Sequence, residues 1–339
     1  MTVTEAIAQC AERVNLTEDQ AHDVAVQIMK GETTPAQIAA LLVAFRMKGE
    51  TVDELVGFVQ AMRENAQPMP CKSVRLVDTC GTGGDKKGTF NVSTLAALAA
   101  SGAGCRVAKH GNRSVTSRCG SADLLEALGV KVDAPASVIA RCIDSLGIGF
   151  MFAPAFHPAT KHAVLPRREI GIKTLFNLIG PLSNPARAKR QIVGVFAPEW
   201  TEKLAESLGR LGSEHVLVVW GEDGMDEITL SGRTKITELK DGKITTRWIQ
   251  PEDFGYSRIE PDAVRGGDAK ENARIAVEVL TGKPGPARHM TALNAGAAIH
   301  AAGVAVSIFE GARLAEEAID SGRAMEKLEA LKRMTNETA

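Results

Sequence analysis

Apolar positions along this chain follow a helical period first and a strand period later. Over residues 1–66 they recur three and four apart. Ile38, Leu41, Leu42 and Phe45 fall on one face of a helix that Thr34 and Pro35 open. Thr17, Thr34 and Thr51 each stand three residues before Gln20, Gln37 and Glu54. A threonine hydroxyl can cap the first free amides of a helix while the third residue's side chain returns a bond to the cap, so each threonine predicts a helix start. The run NAQPMPCKS at 65–73 breaks the period and reads as a linker.

From residue 74 short β-rich runs alternate with helical stretches. The runs are VRLVD (74–78), RVAKH (106–110), GFMFAP (149–154), QIVGVFA (191–197) and HVLVVWG (215–221); SADLLEALG (121–129) and WTEKLAESLGRLG (200–212) are helical. Such alternation predicts a mostly parallel sheet covered on both faces by helices. Residues 228–248 alternate around Asp241-Gly242 and predict a small antiparallel excursion, and 267–334 is helical. The expected fold class is therefore α/β, with a small all-helical N-terminal domain and a larger α/β domain built on a mostly parallel central sheet covered by helices.

Composition narrows the function classes. A chain of 339 residues, 44% hydrophobic, suggests about two domains with a sizeable core. A net charge of −1 argues against a broad nucleic-acid or anionic-membrane surface, so any anion recognition must be local. The N-terminal residues lack a basic segment followed by an apolar one, and no run approaches ~18 apolar residues, so neither a leader nor a membrane span is expected. Cysteines at 10, 71, 80, 105, 119 and 142 form no Cys-x-x-Cys pair, and the histidines form no local metal motif. Scattered thiols fit a reducing cytoplasm.

Ligands of open parallel sheets bind beyond the carboxyl ends of the strands. Four loops qualify. GTGGDKKGTFNVST (81–94) offers glycines that let backbone amides approach an anion, and a helix opening near Ser93. It is neither a Walker loop nor Gly-x-Gly-x-x-Gly. KHGNRSVTSRCGSAD (109–123) crowds Lys109, His110, Asn112, Arg113 and Arg118 around Gly111, as a phosphate clamp or a solvated basic turn would. GMDEITLSG (224–232) pairs Asp226 with Glu227; adjacent carboxylates suit Mg²⁺, though such a pair alone is usually a solvated surface feature. In 152–185, His157 precedes a proline, and Arg167 and Arg168 are expected to lead a helix ending near Gly180-Pro181.

Taken together, GTGGD, GTFNVST, KHGNRS, GSADLLEALGV, FAPAFHPA, RREIGIKTLFNLIGPLSNP and DEITLSG resemble the anthranilate phosphoribosyltransferases in order and spacing, over roughly residues 5–335. The resemblance implies a nucleoside phosphorylase/phosphoribosyltransferase-like fold. It places a helical dimerisation domain at 1–70, with 163–186 packing back onto it, and a phosphoribosyl pyrophosphate (PRPP)-binding domain at 74–162 and 187–335. It implies transfer of the 5-phosphoribosyl group from PRPP to the amine of anthranilate, releasing pyrophosphate, a step of tryptophan biosynthesis. Carried over by motif, Gly81, Thr82, Gly83, Gly84, Asp85, Thr89, Asn91, Ser93, Thr94, Lys109 and Ser121 bind PRPP. Gly81, His110, Asn112, His157 and Arg167 line the anthranilate path. Ser93, Asp226 and Glu227 hold Mg²⁺, two ions in all.

The implied partners are PRPP, anthranilate and a second copy of the chain in a homodimer, with no nucleic acid and no membrane. No single acid or base is implied, since the aromatic amine is already a neutral nucleophile; Lys109 and the metal stabilise the leaving group. Lys86 and Lys173 depart from the family pattern, standing where glycine and arginine are common. Two rival readings are a pyrimidine nucleoside phosphorylase, which shares the architecture, and a non-catalytic relative that binds nucleic acid. The missing Lys-His before the glycine loop argues against the first, and the net charge and retained Asp226-Glu227 pair argue against the second.

Overall fold

The computed structural model describes residues 1–114 and 118–337. The chain opens with four helices, α1 (Val3–Ala11), α2 (Glu18–Lys30), α3 (Pro35–Lys48) and α4 (Val52–Glu64). Thr17, Thr34 and Thr51 all form the reciprocal capping bonds expected of them, and Thr2 with Glu5 forms a fourth set. Residues 65–75 hold no helix or strand, as the linker reading expects.

Beyond it come β1 (Leu76–Gly81), α5 (Val92–Gly102), β2 (Arg106–Gly111), α6 (Ser121–Ala127), α7 (Ala136–Arg141), β3 (Ile148–Phe152), α8 (Ala153–Phe156), α9 (Lys161–Ile170) and α10 (Leu175–Ile179). The remainder comprises β4 (Arg190–Gly194), α11 (Trp200–Arg210), β5 (His215–Gly221), β6 (Thr234–Lys240), β7 (Lys243–Ile249), α12 (Ala269–Leu280), α13 (Pro286–Ala301), α14 (Ile308–Asp320) and α15 (Arg323–Asn336). The sheet order is β3-β2-β1-β4-β5-β6-β7. The first five strands are parallel; β6 and β7 run antiparallel.

One expectation is met and one needs correction. The antiparallel segment forms as read, and β6 pairs with β5 along its whole length, so the hairpin extends the main sheet. Its turn is as read, since Asp241 (φ 50°) and Gly242 (φ 75°) both take the left-handed conformation a tight hairpin requires. Arg167 and Arg168 do not lead a helix; they occupy the last turn of α9. Gly171 ends α9 at φ 68°, and a fresh capping pair, Thr174 with Asn177, opens α10.

Side chains alternate along the strands, so the sheet buries two cores. One face packs Val107, Ile192, Leu217 and Val219 against α5 and α13. The other packs Val193, Val195, Val216 and Val218 against α11, and the same cluster takes in Phe45 and Phe58 of the N-terminal helices and Leu175, Phe176 and Ile179 of α10. Phe58 meets Phe45 and Phe176 edge-on, at 5.6 and 6.3 Å between ring centres. Each such buried ring contributes roughly 1.5–3 kcal/mol. Arg63 on α4 donates to the Leu182 and Leu211 carbonyls, tying the helical bundle to both flanking segments.

Candidate active site

The carboxyl ends of β1, β2 and β4 gather the loops singled out from sequence. The extended backbone of β1 continues into Gly81, where the Thr82 amide donates to Gly194 at the end of β4 (2.8 Å). A Cβ on Gly81 would lie 2.6 Å from Asp226 Oδ2, and one on Gly194 would overlap the Asp226 carbonyl. Both glycines are therefore required for the 224–228 bend to close over the sheet. The Gly83 amide donates to Asp226 Oδ2 (2.8 Å), and the Ser93 amide at the start of α5 donates to Glu227 Oε1 (3.2 Å).

Three carboxylates thus converge: Asp85, Asp226 and Glu227. Burial first, then the Asp85 carboxylate, pushes Asp226 up to about 7. Burial and the Asp226 charge raise Glu227 well above the usual carboxylate range. Asp85 Oδ2 is buried and without a hydrogen-bond partner. Like charges held this close favour a proton or a cation between them. An oxygen-rich, partly orphaned set of this kind fits Mg²⁺.

Lys109 stands in β2, two residues before its end at Gly111, and is buried. Its ammonium donates to the Thr79 carbonyl and lies 3.3 Å from Ser93 Oγ. Burial lowers its pKa, opposed chiefly by Asp78. Asp78 is itself buried, and its carboxylate accepts from the His110 amide (3.0 Å) and from Asn184 Nδ2 (2.8 Å). Thr94 is buried one turn into α5 and its hydroxyl has no partner. Thr89 bridges to Arg265, Gly88 accepts from Gly266, and the Asn91 side chain is held by Asn272 (2.9 Å) and Cys119 (3.0 Å). The loop is therefore braced from the segment before α12.

Ser121, first residue of α6, donates to the Asn112 carbonyl (3.3 Å). Asn112 is exposed on the loop after β2, with its side chain on the Arg113 amide. Arg113 does not join the clamp suggested by its neighbours; its guanidinium is paired with Asp123 and Glu126. Arg118 is exposed, and residues 115–117 of the same loop lie outside the described residues.

His110 and His157 meet with their ring planes tilted by 58° and their centres 5.2 Å apart. Burial depresses both, His110 to about 3 and His157 to about 4, so the pair is neutral at physiological pH. The Nε2 atoms of both are buried without a hydrogen-bond partner. Arg167 lies with its guanidinium 5.0 Å from the centre of the Phe176 ring. No carboxylate pairs with it among the described residues, and burial lowers its pKa. Lys173 rests on Phe196 (3.7 Å) and against Gly84, within reach of the Asp226 and Asp85 charges.

Two family descriptions match the chain. "Glycosyl transferase family, helical bundle domain" covers residues 4–66, and "Glycosyl transferase family, a/b domain" covers 73–325. The anthranilate phosphoribosyltransferase of Thioalkalivibrio sulfidiphilus is 52% identical over 331 residues, 98% of each chain. The chain belongs to the anthranilate phosphoribosyltransferase family.

The Moorella thermoacetica anthranilate phosphoribosyltransferase is 54% identical over 317 residues, 94% of each chain. Among solved structures, the Thermus thermophilus anthranilate phosphoribosyltransferase superposes with a TM-score of 0.93 at 45% identity, covering 97% of this chain and 99% of that one. The Saccharomyces cerevisiae anthranilate phosphoribosyltransferase in complex with PRPP and Mg gives 0.90 at 28% identity, covering 99% and 98%. Against this family background, several supporting residues had no sequence signal. Asn272 sits in an ordinary helical run, and Asp78 and Asn184 read as a strand residue and a loop polar residue. Only the packing of β1 against β2 and the 184–187 turn makes them a buried triad with His110.

Proposed function

We propose that this chain transfers the 5-phosphoribosyl group of PRPP to the amine of anthranilate, releasing pyrophosphate. One observation carries the reading. An anion-receiving loop, a buried lysine and three clustered carboxylates face the carboxyl ends of β1, β2 and β4, while two neutral histidines and an arginine paired with no carboxylate among the described residues are available for an aromatic acid.

In this reading Gly81–Asp85, Thr89, Asn91, Ser93, Thr94, Lys109 and Ser121 bind PRPP. The sugar gains oxocarbenium character as its bond to pyrophosphate breaks. Negative charge grows on the leaving oxygens, and Lys109 with the loop amides stabilises it in a site shielded from water. Asp226, Glu227, Ser93 and Asp85 would hold Mg²⁺, which supplies charge neutralisation of the pyrophosphate when bound. Two ions are the proposed number.

Arg167 presents a planar fork that matches the anthranilate carboxylate, with Gly81, His110, Asn112 and His157 along the same path. The histidines are neutral, so they accept or donate hydrogen bonds without repelling Arg167. The amine needs no strong base, and alignment of the two substrates is the remaining contribution, worth up to about 7–11 kcal/mol in favourable cases.

We further propose a cytoplasmic homodimer formed through the helical domain, residues 1–70 with 163–186, against a PRPP-binding domain of 74–162 and 187–335. Exposed Val164, Leu165 and Ile172 on and after α9 support a covered surface there, and six free thiols support a reducing compartment. Among the described residues no helix is long and apolar enough to cross a membrane.

The test mixes purified protein with anthranilate, PRPP and Mg²⁺ and follows anthranilate fluorescence. Metal-dependent loss is expected. Unchanged fluorescence from folded protein, with phosphate-dependent cleavage of thymidine or uridine instead, overturns the reading.

A further inference from the structure

At the opposite end of the sheet from the phosphate loops, three buried side chains converge. In the β5–β6 pair, His215 faces Lys240 and Leu217 faces Glu238, so His215 and Glu238 are diagonal neighbours on one face. α13 crosses that face and sets His300 in its last turn. Glu238 Oε1 lies 2.8 Å from His215 Nε2 and 3.1 Å from His300 Nε2. All three side chains are buried.

Counting protons shows that the arrangement is incomplete. His300 Nδ1 lies 3.1 Å from the Ala305 carbonyl oxygen, which can only accept, so Nδ1 carries the hydrogen. A neutral His300 then turns a bare Nε2 lone pair toward a carboxylate oxygen. A cation between them is required, either a second proton or a metal ion. An imidazole anchored through Nδ1–H to a backbone carbonyl, with Nε2 turned to a shared carboxylate, has the outer hydrogen bond typical of a metal-ligating histidine.

The geometry and the space suit an ion. The three ligand atoms lie within 4.8 Å of one another. Tetrahedral Zn²⁺ sets nitrogen and oxygen ligands about 3.3 Å apart, so small side-chain rotations suffice. A cavity of about 640 Å³, lined by Glu238, Lys240, Arg247, His300 and Ser307 among others, leaves room for a fourth ligand. Arg247 binds the other Glu238 oxygen at 2.5 Å, which leaves Oε1 for the ion and favours an anion in the fourth position. Two imidazoles with one carboxylate favour Zn²⁺ over oxygen-seeking Mg²⁺.

We propose that His215, Glu238 and His300 bind one Zn²⁺ ion. It pins β5 and β6 to the end of α13, and its fourth position opens to the cavity, where water or a small anion completes the coordination. The site is separate from the carboxylates of the transfer site.

Full-length protein is loaded with zinc chloride, dialysed against zinc-free buffer containing Mg²⁺, and its metal content measured beside the His215→Gln and His300→Gln variants. Wild type is expected to retain one more Zn²⁺ per chain than either variant, with turnover unchanged and a zinc-dependent rise in melting temperature seen only in wild type. Equal zinc in all three overturns the proposal. Nitrogen NMR of the wild-type imidazoles needs no variant to fold. Shifts at Nε2 of both histidines, saturating with one added Zn²⁺, are expected; a doubly protonated His300 that ignores Zn²⁺ shows that a proton fills the position and overturns it.

Discussion

Gly83 and Asp226 are 143 residues apart in sequence, yet the Gly83 amide donates to Asp226 Oδ2 at 2.8 Å. The same oxygen would lie 2.6 Å from a Cβ on Gly81. A single methyl group there must push the carboxylate aside or bend the loop, at a cost of about 1–3 kcal/mol. Gly81→Ala is therefore expected to lower kcat/KM for PRPP by about 10- to 100-fold with circular dichroism unchanged. Wild-type kinetics would show that the Asp226 position does not matter to the reaction.

The paired replacement Asp226→Asn with Glu227→Gln should separate stability from activity. Turnover is expected to fall by at least about 10²-fold, the scale on which charge-stabilising groups act. Without metal, the same variant should melt higher than wild type. Asp226 has its folded pKa at about 7, above the 3.8 of the free carboxyl. The folded state therefore holds the extra proton between those values, and wild-type stability declines as pH rises through that window. The gain in the variant should be largest above pH 7, read by thermal melts in chelator across pH.

Arg167→Ala removes the unpaired fork over Phe176. A charge-assisted bond of about 1.5–3 kcal/mol should be lost, raising the anthranilate KM by about 10- to 100-fold while the PRPP KM moves little. Equal changes in both constants would point to a general disturbance of α9.

The neutral histidine pair makes stability fall on acidification. His110 and His157 titrate at about 3 and about 4 in the folded protein, below the ordinary 6.5. Below pH 6.5 the unfolded chain binds protons that the folded one refuses, so stability present above 6.5 is lost toward pH 4. Each histidine contributes a slope of up to about 1.4 kcal/mol per pH unit. Urea unfolding of His157→Gln between pH 6.5 and 4.5 should show a shallower decline; an unaltered slope would mean that His157 is already protonated when folded.

Lys86 occupies φ 60° at an exposed loop position. A side chain in that region is strained, whereas glycine tolerates it at some cost in unfolded-state entropy. Lys86→Gly is expected to stabilise the protein by about 0.5–1 kcal/mol in urea titrations. A loss of stability together with a higher PRPP KM would assign Lys86 to the phosphate site instead.

Much of the frame was readable locally. Thr17, Thr34 and Thr51 announce their helices because capping is settled within four residues. Asp241-Gly242 announces its hairpin because a two-residue turn depends on its own backbone angles. The break at Gly171 was equally local, but the charged run around it read as one helix, and Arg167 moved from a helix start to a helix end.

Sequence by itself determined the alternation of helix and strand, the linker near 65–73, and the loops that carry glycines, carboxylates and cations at strand ends. Those features depend on neighbours in the chain, and period, caps and turns express them directly. Tertiary structure alone decided which loops meet. The hairpin joined the main sheet because β5 offered a free edge. Asp226 reached Gly83, Arg113 turned away to Asp123 and Glu126, and Asp78 with Asn184 came under His110. His215, Glu238 and His300 converged although no local spacing relates them. Burial then set the charges: the same carboxyl and imidazole groups that titrate ordinarily in water are shifted here because the sheet and its covering helices exclude solvent from them.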